Sequence, residues 1–218
     1  MKVAILIPTI AGREKFLHQA IYQISEQSHQ PDIIEIIQDL PIYKSPDVAW
    51  RYKIGIQRCK QKGADIIIFW EDDDWYRYNY IEMMVKSWII AGRPDVFGIS
   101  RTIYYNIVKR KYLLIDHPGR ASMMSTMVTK NFIPQWEDDR DPYIDMFIWR
   151  GQYNKATVDV SYGQSITIGI KHGIGACAGG GHFWTDDKFP FDDKDLEFLS
   201  KIIDPDSLRF YSSFYGKH

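Results

Sequence analysis

Apolar residues recur along this chain with two different periods, and the alternation between those periods predicts its elements. Val3 to Pro8 is a continuous apolar run of strand length, and from Arg13 the apolar positions Phe16, Leu17, Ala20, Ile21 and Ile24 share one helical face. Residues 33–37 repeat the strand signal and end at Gln38 and Asp39. Ser45, Pro46 and Asp47 then read as an N-cap, a proline at the first helical position and an acid in the first turn. The helix that follows carries Ala49, Tyr52, Ile56 and Cys59 inward and stops near Gly63. A third apolar run from Ile66 ends abruptly in four consecutive acids. Three buried strands alternating with two helices predict an α/β fold with a parallel, doubly wound sheet.

Beyond the acids, Asn79 caps a predicted helix with Met84, Val85, Trp88 and Ile89 inward, ending at Gly92 and Pro94. Residues 96–100 form a strand, and residues 102–108 and 112–115 form a hairpin with Lys109, Arg110 and Lys111 at its tip. Residues 117–125 are rich in glycine and small side chains, which lets backbone approach a ligand or simply connects two elements. Asp141 and Pro142 read as the start of a helix burying Ile144, Phe147 and Ile148. Strands at 157–160 and 166–170 precede a glycine-rich loop, residues 171–183, carrying His172 and His182 but lacking a P-loop pattern. The tail predicts one amphipathic helix over 193–203 and an aromatic end, residues 210–215, that packs back on the body or covers an acceptor site. With no linker or repeat, residues 1–218 are expected to form a single domain.

Composition narrows the function. The 27 basic and 28 acidic residues give a net charge of −1, so no global basic field points to nucleic acid or an anionic membrane. Two cysteines, Cys59 and Cys177, without CxxC spacing imply neither a zinc site nor a disulfide framework, and a cytoplasmic location is the expectation. The apolar opening is shorter than a signal segment and no run approaches ~18 apolar residues, so no membrane span is expected. Seven Trp and fourteen Tyr suit either a packed core or a cleft that stacks on rings.

The candidate chemistry lies in two acid clusters. Glu71, Asp72, Asp73 and Asp74 follow a buried strand, where open α/β sheets bind ligands. Side by side their ionised forms repel one another, and a divalent cation with hard oxygen ligands, Mg²⁺ or Mn²⁺, offsets that repulsion. The plainer alternative is a solvated acidic turn. The second cluster, Glu137, Asp138, Asp139, Asp141 and Asp145, either lies near a helix N-terminus, where the dipole favours acids, or supplies a general base.

Taken in order, VAILIPTIAGREKFLHQAI, IIEIIQD, RYKIGIQRCKQKGADIIIFWEDDDW and YIEMMV resemble the nucleotide-binding half of family 2-like glycosyltransferases with the GT-A fold. The likeness covers about residues 1–90 and implies a Rossmann-like, mostly parallel central sheet with flanking helices. Residues 1–100 would bind the nucleotide and 101–218 the acceptor. It also implies that Pro8, Thr9, Ile10, Arg13, Asp39 and Lys53 contact the nucleotide. Glu71, Asp72 and Asp73 correspond to the DxD motif, with Glu in place of its first Asp. Asp73 becomes the principal metal ligand, His172 or His182 a further one, and residues 119–122 the loop facing the donor sugar. The base of an inverting member falls on Asp141, then Asp145. The implied activity is transfer of a sugar from a nucleoside diphosphate sugar, UDP-linked by preference, to an acceptor hydroxyl with Mn²⁺ or Mg²⁺ and inversion. A retaining course is the alternative if the second cluster lies away from the anomeric carbon. A glycan, a lipid-linked sugar, a protein side chain or a modified nucleic-acid base would serve as acceptor. A nucleotidyltransferase and a non-catalytic nucleotide- or sugar-binding module are the competing readings.

Overall fold

The computed structural model describes residues 1–39, 47–174 and 188–215. Its first half follows the predicted alternation: β1 (Val3–Pro8), α1 (Glu14–Ser25), β2 (Ile33–Ile37), α2 (Val48–Gln61), β3 (Ile66–Phe69), a two-residue β4 (Trp75–Tyr76) and α3 (Tyr80–Ile90). The second half contains β5 (Val96–Ile99), β6 (Arg101–Asn106), β7 (Lys111–Asp116), β8 (Thr126–Thr129), α4 (Ile144–Arg150), β9 (Lys155–Val158) and β10 (Thr167–Lys171). It closes with β11 (Phe191–Asp192), α5 (Glu197–Ser200) and α6 (Pro205–Ser212).

Six strands form the main sheet in the order β2-β1-β3-β8-β5-β9. Its pairs β1/β2, β1/β3 and β5/β9 are parallel, whereas β8 runs against both neighbours. Period-2 alternation sorts the side chains of β1 and β3 between two cores. Val3, Ile5, Ile7, Ile66 and Ile68 meet α1 and α3 on one face, and Ala4, Leu6, Ile67 and Phe69 meet α2 and α4 on the other. Gly55 permits the close approach of α2, since a Cβ there would lie 2.1 Å from Leu6 Cδ1. A second sheet, β11-β7-β6-β10-β4, stacks its Ile103, Tyr105, Ile168 and Ile170 on Phe16 of α1 and on Leu199, Tyr211 and Phe214 of the tail. Among the described residues, no helix is long and apolar enough to cross a membrane.

Several details depart from expectation. Strand β8 emerges from the small-residue segment because its four residues are buried on both faces, Met127 in one core and Val128 in the other. Ile89 and Phe147 face solvent, and Trp149 takes the inward position in α4. The helix expected over 193–203 is shortened to α5, and a second helix, α6, follows it. The residue before a proline disfavours helix, and Asp204 is extended, its carboxylate accepting from Ser207 N at 2.8 Å to cap α6. Ser45 and Pro46 lie outside the described residues; α2 starts directly after Asp47.

Candidate functional site

The acid turn joins β3 to β4 and is held from three sides. Trp70 is buried and stacks on Tyr76 at 3.8 Å, and Tyr76 Oη accepts the Glu71 backbone N–H at 2.8 Å. From α1, Gln23 accepts from Tyr76 N and donates to the Asp74 carbonyl. From α6, Tyr211 Oη donates to that same carbonyl at 2.8 Å, and Trp75 Nε1 donates to Asp204 at 3.1 Å. The two tryptophans that flank the acids therefore build the core beneath the turn and leave no ring face for a ligand.

The side chains of the turn divide into pairs. Asp72 is buried, accepting from Thr9 Oγ1 at 2.6 Å and from Arg13 Nε at 3.0 Å. Arg13 Nη2 also bridges to Asp73 at 2.8 Å. Burial opposes charge on Arg13, yet Asp73 and Asp72 outweigh it and its pKa is raised. Burial likewise works to raise Asp73, but Arg13 and His172 hold it well below the ordinary carboxylate range. Asp72 is raised by burial despite Arg13. Asp74 Oδ1 accepts from Ile170 N at 2.8 Å, its side chain lies against Glu71, and burial pushes it far up. Burial and Asp73 together push Glu71 up to about 7.

Two neighbours on the second sheet complete this wall. His172 is fully buried, against Phe16, with Nε2 2.9 Å from Asp73 Oδ2. Its Nδ1 accepts from Ile174 N at 3.3 Å, which assigns the ring proton to Nε2 and makes His172 a donor to Asp73. Lys171, which the sequence reading did not single out, lies beside Tyr104 and is raised by Asp74, Asp73 and Glu71 against the effect of burial. A lysine ending an otherwise apolar strand was the available signal.

A further buried acid comes from the second half of the chain. Arg120, in the small-residue segment, holds Asp145 of α4 with Nη1 3.1 Å from Oδ2. Burial raises the Asp145 pKa, and its charge in turn helps to raise Glu71. Asp145 thus lies within electrostatic reach of the acid turn. Asp141 instead closes a tight turn, accepting from Tyr143 N at 2.7 Å.

Of the remaining predicted residues, Pro8 ends β1 opposite Ile37, and Ile10 is exposed at the turn where its carbonyl accepts from Arg13 N. Asp39 is paired with Arg58 at 2.8 Å, which lowers its pKa, rather than with the acid turn. Lys53 reaches Asp139 at 3.0 Å and so ties α2 to the second acid cluster. His182 lies outside the described residues.

The oxygen donors of Glu71 and Asp73 suit a hard divalent ion. Among the described residues no three His, Cys, Asp or Glu side chains form a closed metal cage. Mg²⁺ needs none, because one or two carboxylates with ligand phosphates and water complete its shell.

No protein-family model and no curated protein matches this sequence. Solved structures do match it in three dimensions. S. aureus TarS 1-349 in complex with UDP-GlcNAc aligns with a TM-score of 0.56 at 11% identity, covering 85% of this chain and 62% of that one. S. aureus TarS aligns with a TM-score of 0.53 at 10% identity, over 78% of this chain and 37% of that one. This chain therefore spans less than two thirds of these TarS structures. At such identity the likeness is one of fold, and the fold of this protein is the α/β architecture of GT-A-like glycosyltransferase domains.

Proposed function

We propose that this protein transfers a sugar from a UDP-linked donor to an acceptor hydroxyl with inversion, Asp145 acting as the base. The observation that carries the reading is that Asp145, held by Arg120, lies near enough to the acid turn for its charge to raise Glu71. The fold adds support, since the TarS fragment of similar fold was solved with UDP-GlcNAc.

Asp145 rather than Asp141 is our choice of base because the Asp141 carboxylate is engaged in its own turn. Arg120 orients Asp145, and burial raises its basicity. As the acceptor oxygen bonds to the anomeric carbon, its proton passes to Asp145 and the carbon–diphosphate oxygen bond breaks. A bound Mg²⁺ or Mn²⁺, held by Asp73 and Glu71, would neutralise the departing diphosphate as a Lewis acid. His172 positions Asp73, and Arg13 holds Asp72 and Asp73 in register. A glycan, lipid-linked sugar, protein side chain or modified base remains the proposed acceptor range.

Donor hydrolysis, with water as the acceptor, tests this without knowledge of the natural acceptor. The wild type with Mn²⁺ is expected to release UDP from at least one UDP-sugar. Asp145→Asn should lower kcat at least ~100-fold with the donor KM unchanged, and Asp73→Asn should abolish metal-dependent UDP binding. A folded wild type that binds neither UDP nor GDP in the presence of metal would overturn the reading.

A further inference from the structure

We propose that Lys171 is a direct binding group for a diphosphate anion beside the acid turn. The nucleotide attached to that diphosphate rests on the reading above; the anion site itself does not.

Strand β10 brings its residues against the acid turn in alternation. Ile170 N donates to Asp74, and His172 meets Asp73. Lys171 stands between them, on the strand face shared with Thr167 and Gly169, which is the face turned toward the main sheet. There Thr167 Oγ1 lies 3.0 Å from Ser125 Oγ, and a Cβ on Gly169 would meet Tyr104 at 2.6 Å. The absence of that Cβ lets the Tyr104 ring lie along the strand. Lys171 Nζ sits 5.0 Å from the centre of this ring.

Lys171 is only 8% exposed, and among the described residues its ammonium lies over the Tyr104 ring with no hydrogen bond or ion pair to a carboxylate. Burying an ammonium is costly, and a lysine serving only as an internal counter-ion is expected to touch its carboxylate. Arg13 does so, bridging Asp72 and Asp73, and is thereby committed. Lys171 instead keeps three donors for an incoming group while Glu71, Asp73 and Asp74 around it offset its charge at longer range. The group that fits is an anion with several acceptor oxygens that can pair with the ammonium and with a cation on Glu71 and Asp73 at once. A diphosphate has that chemistry.

The test is calorimetry with Mg²⁺ present, using UDP, GDP, uridine and inorganic pyrophosphate on the wild type, Lys171→Met and Lys171→Arg, with thermal melts to confirm folding. Lys171→Met is expected to weaken UDP and pyrophosphate at least tenfold while uridine stays within twofold, and Lys171→Arg to recover most of the loss. UDP affinity within twofold of wild type in Lys171→Met, or an equal loss of UDP and uridine, overturns the proposal and leaves the transferase reading standing. Pyrophosphate binding that needs Lys171 in a wild type that ignores both nucleotides supports the anion site and overturns that reading. A wild type that binds none of the four overturns both. If Lys171→Met does not fold, Glu71→Gln/Lys171→Met is compared with Glu71→Gln, which strands one acid fewer; equal pyrophosphate affinity in the two overturns the proposal.

Discussion

Replacing Arg13 by methionine isolates what holds the acid turn together. The guanidinium donates to Asp72 through Nε and Nη2 and pairs with Asp73 through Nη2, and its side chain is 13% exposed against 5% for Asp72. Solvent therefore screens the pair little. Removing one partner of a buried pair costs about 3–5 kcal/mol because the other charge stays behind. Asp72 keeps its bond from Thr9 and Asp73 keeps His172, so the low end, about 3 kcal/mol, is expected at pH 7. In urea, with a slope of about 2 kcal/mol per M, the midpoint should fall by ~1.5 M. Without Arg13, burial raises Asp72 further above its unfolded value. A carboxyl with a raised folded pKa destabilises most above that pKa, and the penalty fades as pH falls toward the unfolded value. The deficit of Arg13→Met should thus be smaller at pH 5 than at pH 7. Adding Asp72→Asn removes the stranded charge and should restore at least half the loss at pH 7. A double variant no more stable than the single one, with the same deficit at both pH values, would refute the account.

Two further outcomes follow from the same wall. Glu71 titrates near 7 in the fold, above its ordinary value, so wild-type stability should decline as pH rises from ~4.5 to 7 and then level off. In metal-free urea titrations Glu71→Gln is expected to flatten that decline and to exceed wild type by up to about 3 kcal/mol at pH 8; an unchanged pH profile would show that Glu71 is ionised throughout. Tyr211→Phe deletes the hydroxyl that α6 gives to the Asp74 carbonyl and should cost about 1–2 kcal/mol in a thermal melt. Because the turn loses a support, it should also weaken UDP binding with Mn²⁺ by severalfold, whereas full affinity would show that α6 does not shape the turn.

The first half of the fold and the location of the acid turn were legible in the residues. Continuous apolar runs at Val3–Pro8 and Ile66–Phe69 leave room for nothing but doubly buried strands, and the one-sided apolar spacing of Glu14–Ser25 and Val48–Gln61 leaves helices. Local pattern carries that information because each element buries its own face. It failed at β8, whose four residues become a strand only when β3 and β5 supply hydrogen bonds on both sides. The partners within the site were equally out of reach. Arg13 lies 59 residues from Asp72, and His172 lies 99 from Asp73. Whether a carboxylate meets a guanidinium, a backbone N–H or another carboxylate depends on strand register and sheet stacking. Sequence determined that four acids end a buried strand; only tertiary structure decided that Asp72 and Asp73 are paired, that Glu71 and Asp74 are pushed up, and that the charge of Asp145 reaches Glu71. The reason is that burial and long-range charge, which set those states, belong to the folded arrangement and not to any stretch of chain.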